Sequence, residues 1–225
     1  MLEDELLGKL GDHIVHAADS VVPDIVSTLR RTAPAMIAEE RKARTGFEKR
    51  LATRWKEPFK LYQMVLTAAC EIVSEFDAEH REQAAAEQDF TFEALNRLAV
   101  RSCRVAGEVL CLLRGGFADG AHARWRTLHE LAVVAFFLQE AGGDTAERYL
   151  RYEYIEAYKL AHQMCEHASM IREEPPAADE MQMLKAQRDV LTSEYGPEFA
   201  GENGWALAGI RKLNPSFSGS APPSK

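Results

Sequence analysis

Almost nothing in this 225-residue sequence would build a sheet. No run of alternating β-branched residues occurs, and no Asn-Gly turn joins two such runs. Cysteine is scarce. The four present, Cys70, Cys103, Cys111 and Cys165, form no CxxC pair and no obvious disulfide framework, which favours a reducing compartment. Long hydrophobic runs are missing too. The longest uncharged apolar stretch, Leu131 to Leu138, falls far short of the roughly 20 residues that span a bilayer. The opening MLEDELL is acidic and lacks a signal-peptide core, so a cytoplasmic protein without membrane attachment is expected. No glycine loop cradles a phosphate, and no GxSxG elbow or reactive-cysteine setting occurs; no cofactor is expected.

What is present is helical spacing nearly everywhere. An apolar fraction of 46% with 28% charged residues suits a packed domain and is too rich for disorder. Leu2, Leu6, Leu10, His13 and Ile14 begin an amphipathic segment that Asp19-Ser20 and Pro23 should interrupt, and further segments run from 22 to 31 and from 35 onward. Pro58 sits at the start of a helix whose apolar stripe is Tyr62, Val65, Leu66, Ala69, Ile72, Val73 and Phe76. Thr91 can cap a helix reaching Arg114, and Gly115-Gly116 stops it. A second long helix covers 120–141 and should pack antiparallel to the first, with Leu110, Leu113, Leu128, Leu131 and Phe136 inside. A third long helix follows from Asp144 to about 172. Pro175-Pro176 breaks it, and a shorter helix covers 179–193. The fold class is therefore all-α, a helical bundle. Its expected organisation is a helical extension over 1–55, a core domain over 56–210 and a disordered tail over 211–225.

A net charge of −8 excludes a surface that binds nucleic acid everywhere, and there is no DNA-binding signal. Within that average lies an arginine island. From Arg97 to Arg126 there are six arginines and no lysine, opposed only by Glu108 and Asp119. Guanidinium without ammonium suits fixed planar contacts to carboxylate or phosphate. The bland alternative is that these arginines bridge to Glu93, Glu130 and Glu153. The island runs into GAHARWRTLHELAVVAFFL, residues 120–138, where His122, Arg124, Arg126, His129 and Glu130 open an otherwise apolar helix.

Metal readings of these residues fail. His129-Glu130 begins an HExxH pattern, but Val133 stands where the second histidine belongs. His162 with Cys165 and Glu166 makes half a site at most, and His13 with His16 is no stronger. No metal is expected. Arg124 and His129, spaced R-x4-H, resemble the motif of the HEPN ribonucleases, all-α proteins that cleave RNA without metal. That resemblance implies His129 as general acid or base and Arg124 or Arg126 on the scissile phosphate, usually across a dimer interface. Trp125 departs from the small polar residue usual there. Helical geometry also separates Arg124 from His129 by about 140°, whereas His122, Arg126 and His129 fall within about 60°, with Glu130 beside them. Charged groups here need partners, and Tyr152, Glu153 and Glu156 on the next helix are available, the first two as ligand contacts as well.

The stretches VLCLLRGGFADGAHARWRTLHELAVVAFFL and RYLRYEYIEAYK, and more loosely Tyr195-Gly196 and Gly204-Trp205-Ala206, resemble a prokaryotic family, domain of unknown function 5677. The likeness spans most of 55–210 and implies a helical intracellular domain without an assigned activity. Similar proteins continue into further helix where this chain reads SFSGSAPPSK. Two function classes stand: metal-independent RNA cleavage or RNA binding through the Arg/His cluster, and a non-enzymatic module that binds a partner protein or small anionic ligand in an arginine-lined groove. A homo-oligomer is compatible with both.

Overall fold

The computed structural model describes the backbone of residues 2–171 and 174–219, and the side chains of that range apart from 2–15, 18 and 171. Seven α-helices and two short 3-10 turns occur among them, with no strand. The fold is all-α. The chain divides into two compact units, one formed by the chain up to Phe59 with Arg114–Gly116, the other by Lys60–Leu113 and the chain from Phe117 onward.

The first unit is built on α1 (Leu2–Arg54), a single helix where a break at Pro23 was expected. Pro23 and Pro34 each remove one backbone donor, and the ladder continues past both. Ser20, Ser27 and Thr32 donate back to carbonyls three or four residues earlier, so hydroxyls that could compete with the helix are used inside it. The side chains of Leu2, Leu6, Leu10, His13 and Ile14 lie outside the described residues.

The second unit contains most of α2 (Lys56–Glu87), then α3 (Phe90–Arg114), α4 (Ala118–Ala141), α5 (Gly143–Ile171), α6 (Ala178–Tyr195) and α7 (Leu207–Leu213). Helix α2 runs antiparallel to α3. Asn96 donates to Asp77 at 2.7 Å near one end, and Tyr62 donates to the Ala106 carbonyl at 3.1 Å near the other. Asp89, not Thr91, caps α3: its carboxylate accepts the Phe92 N–H at 3.0 Å. Helices α3 and α4 form the expected antiparallel pair. Leu110 is buried and Leu113, Leu128 and Leu131 are half-buried, but Phe136 is 69% exposed. Periodicity could not foresee that, because α4 is apolar all round while its neighbours cover only one side.

The stripe expected on α2 is likewise only half covered. Tyr62, Leu66, Ala69 and Val73 are half-buried, whereas Val65 and Ile72 are exposed and Phe76, half exposed, keeps one contact with Phe92 of α3 at a centroid separation of 5.9 Å.

The core closes on the C-terminal segment. Leu98, Leu138, Tyr152, Ile155 and Leu191 pack with Phe199 and Trp205. Trp205 meets Tyr149 and Phe137 edge to face, at centroid separations of 4.8 and 5.7 Å. Gly204 lets this turn pass: a Cβ there would run into the carbonyls of Glu198 and Phe199. Tyr195-Gly196 and Gly204-Trp205-Ala206 are thus core pieces. Helix α7 extends to Leu213, and residues 220–225 of the expected tail lie outside the described residues.

Candidate functional site

The polar opening of α4 is a wet surface. His122, Trp125, Arg126, His129 and Glu130 are exposed, and Arg124 is half-buried. Arg126 pairs with Glu130 one turn on, at 3.0 Å. Arg124 reaches the other way, to Glu108 on α3. Its Nε lies 2.5 Å from that carboxylate, close enough for an ion pair but without the alignment of a hydrogen bond; the contact is electrostatic first.

On the opposite side of α4, the Trp125 indole lies between two imidazoles. His122 and His129 stack on it at centroid separations of 5.7 and 5.9 Å. Arg124 and His129 therefore serve different surfaces, as the 140° between them requires. Trp125, read from sequence only as a departure from a motif, is the centre of this exposed face.

Tyr152 and Glu153 belong elsewhere, in a groove between α3 and α5. This groove, of about 720 Å³, is lined on one wall by Arg97, Arg101 and Arg104, with Arg81 at one end. The other wall carries Tyr149, Tyr152, Glu153 and Glu156. Two helical registers make it: positions i, i+4 and i+7 on α3 face positions i, i+3, i+4 and i+7 on α5.

The charges in this groove are unevenly satisfied. Arg81 joins Asp77 at 2.6 Å and Glu93 at 3.2 Å. Arg97 holds Glu93 at 2.6 Å and reaches Glu153 at 3.6 Å. The hydrogen bond from Arg97 holds the Glu93 carboxyl below its usual range, and Arg81 does the same for Asp77. Arg101 and Arg104 are exposed and carry no ion pair among the described residues.

The tyrosine wall is built into the core. Tyr152 donates to the Gly201 carbonyl at 2.5 Å and accepts from Lys159 at 3.1 Å. Its hydroxyl pins the turn that precedes Trp205, so the ring, more than the hydroxyl, is offered to the groove. Lys159 also holds Glu156 at 2.9 Å. Burial raises the Tyr149 phenol above its ordinary value, while Arg101 and Arg97 pull it the other way. It stays a neutral hydrogen-bond donor at neutral pH. Among the described residues no group of three or more His, Cys, Asp or Glu side chains is placed to hold a metal ion.

Glu93, Glu130 and Glu153, the carboxylates expected from the sequence to bridge the arginine island, do so, the first and last with Arg97 and the second with Arg126; Tyr149, opposite Arg101, carries no local signal. Residues 92–218, more than half of the chain, match the family of unknown function DUF5677, and the chain belongs to that family. The match begins inside α3 and takes in both walls of the groove except Arg81. No curated protein and no solved structure matches. No helix among the described residues is long and apolar enough to cross a membrane.

Proposed function

We propose that this DUF5677 domain is a non-enzymatic binding module whose ligand is a small phosphorylated molecule seated between α3 and α5. The observation that carries the reading is the pair Arg101 and Arg104, two guanidiniums without ion-pair partners among the described residues, in a groove of about 720 Å³. That volume lies within the range of small-molecule sites, about 300–1,000 Å³. A guanidinium binds phosphate through paired N–H donors, and two of them one turn apart can share a single group. Tyr149 adds a neutral donor, its ring and that of Tyr152 add apolar wall, and Glu153 can accept from a ligand hydroxyl. The phosphate end belongs at Arg101 and Arg104, the body of the ligand against the tyrosines.

Thermal unfolding with adenosine 5′-monophosphate or inorganic phosphate as probe tests this. A probe at ten times its Kd stabilises by about 1.4 kcal/mol, or roughly 3–6 °C for a chain of this size. The joint change Arg101→Ala and Arg104→Ala should remove the shift and leave the unliganded melting temperature nearly unchanged. No shift with either probe, or an equal shift in the double variant, contradicts the proposal.

A second reading rests on the exposed His122–Trp125–His129 stack, an aromatic platform with a histidine at each side. Bases stack on such rings, and the HEPN-like spacing would make His129 the acid or base of metal-independent RNA cleavage. Purified protein should then cut single-stranded RNA in the presence of a chelator, leaving a cyclic phosphate. His129→Ala should abolish cutting, a loss of about 10²-fold or more. Cleavage that survives His129→Ala rejects this reading.

A further inference from the structure

We infer that Cys70 and Cys103 form an oxidation site, two thiols on facing helices that a peroxide converts into a disulfide linking α2 to α3. Helix register sets them opposite each other. Asn96 donates to Asp77 at 2.7 Å, and Leu66 lies 4.0 Å from where a Cβ on Gly107 would stand. Seven residues back from Asp77 is Cys70, and seven on from Asn96 is Cys103; four on from Leu66 and four back from Gly107 reach the same two. Steps of four and seven keep to one face of a helix, so both flanking contacts place the cysteines in one seam at one level.

The two thiols meet in that seam. Burial, and after it the neighbouring Cys70 thiol, pushes Cys103 above the ordinary thiol range. Both cysteines are half-buried, which leaves them open to a small oxidant. Ala69, Ala106 and Gly107 beside them are small, so the backbones can approach as a disulfide requires, with Cα atoms about 4.4–6.8 Å apart. Packing accounts for a small apolar thiol on either helix. It does not call for two at the same level, where each can resolve the oxidised form of the other. Cys111 on α3 and Cys165 on α5 are more exposed but stand outside this seam, and they serve as the contrast.

Burial disfavours the Cys103 thiolate, so Cys70 attacks first. Its sulfur takes one oxygen of hydrogen peroxide, the O–O bond breaks, and a sulfenic acid forms with release of water. The Cys103 sulfur then displaces the hydroxyl from the Cys70 sulfur, which closes the S–S bond and releases a second water. The two sulfurs together give up two electrons to the peroxide, and both thiol protons leave in the water. In a reducing compartment the pair rests as two thiols, and a dithiol reductant restores it. Once formed, the bond ties the helix that carries Arg81 to the helix that carries Arg97, Arg101 and Arg104, all four at the groove.

Peptide mapping of the full chain by mass spectrometry, after hydrogen peroxide and thiol blocking, tests this. Digestion should yield one peptide pair joined through Cys70 and Cys103, which dithiothreitol separates. Cys70→Ser and Cys103→Ser should each abolish that pair and leave the remaining thiol to oxidise alone, toward sulfinic acid. Because the bond closes across the native seam, the oxidised wild type should melt no lower than the reduced chain, and up to roughly 10 °C higher. Cys70 and Cys103 both still alkylatable once Cys111 and Cys165 have reacted would overturn the inference. So would separate oxidation of the two without a link, a link that forms only in denaturant, or a fall in melting temperature when it forms.

Discussion

At the scale of single residues, partner choice separates structure from site. Arg124 and Arg126, which the sequence brings forward, are both engaged, the first by Glu108 and the second by Glu130. Arg101 and Arg104, no more conspicuous in the sequence, carry no ion pair among the described residues. Nothing in residue spacing distinguishes these pairs, because the carboxylate that occupies a guanidinium can come from another helix. Glu93 tests the electrostatic side. Its folded-state pKa is depressed, so the stability it contributes is present above the unfolded carboxylate range and is lost as pH falls through the folded value. Glu93→Gln should cost about 1 kcal/mol or less at pH 7, discounted for solvent screening, and the difference from wild type should close as pH falls below about 4. A constant gap down to pH 3 would refute this account of Glu93. Tyr152→Phe removes the hydrogen bond to Gly201 and should destabilise by roughly 0.5–1.5 kcal/mol in denaturant titration. An unchanged midpoint would remove that hydroxyl from the structural role given to it.

At the scale of elements, helix identity was legible and helix coverage was not. The α3–α4 hairpin, its glycine stop and the three long central helices follow from periodicity and caps. Periodicity says which residues share a face. It does not say which of two apolar faces a neighbour will cover, and Val65, Ile72 and Phe136 are exposed for that reason. Cap chemistry carried a similar ambiguity between Asp89 and Thr91, two residues apart and both capable of accepting an N–H. The turn between α2 and α3 gives a further test. Gln88 has φ of 54°, a left-handed conformation that costs a residue with a Cβ about 1–2 kcal/mol. Gln88→Gly should therefore raise stability by up to about 1 kcal/mol, the gain being trimmed by the greater freedom of glycine in the unfolded chain. Loss of stability in that variant would show the turn to be held by contacts of the Gln88 side chain.

At the scale of the molecule, the C-terminal segment completes both the core and the groove. Trp205 packs on Tyr149, Tyr152 packs on Phe199, and both tyrosines line the groove. Pairs such as these join residues some fifty positions apart, which is why local patterns name Tyr152 and Glu153 but set them beside the polar end of α4 instead of opposite the arginines of α3. Trp205→Ala should cost about 3–5 kcal/mol and weaken ligand binding through Tyr149 as well, whereas Arg101→Ala should affect binding alone. The central claim is that the groove is held open by structure and charged for function. Its most direct measurement is a calorimetric titration of adenosine 5′-monophosphate at low salt into wild type and into the Arg101→Ala, Arg104→Ala double variant. Saturable binding at one site per chain in the wild type, weakened about tenfold or more in a double variant of unchanged stability, is the result predicted. Equal binding by both proteins, or none by either, would contradict it.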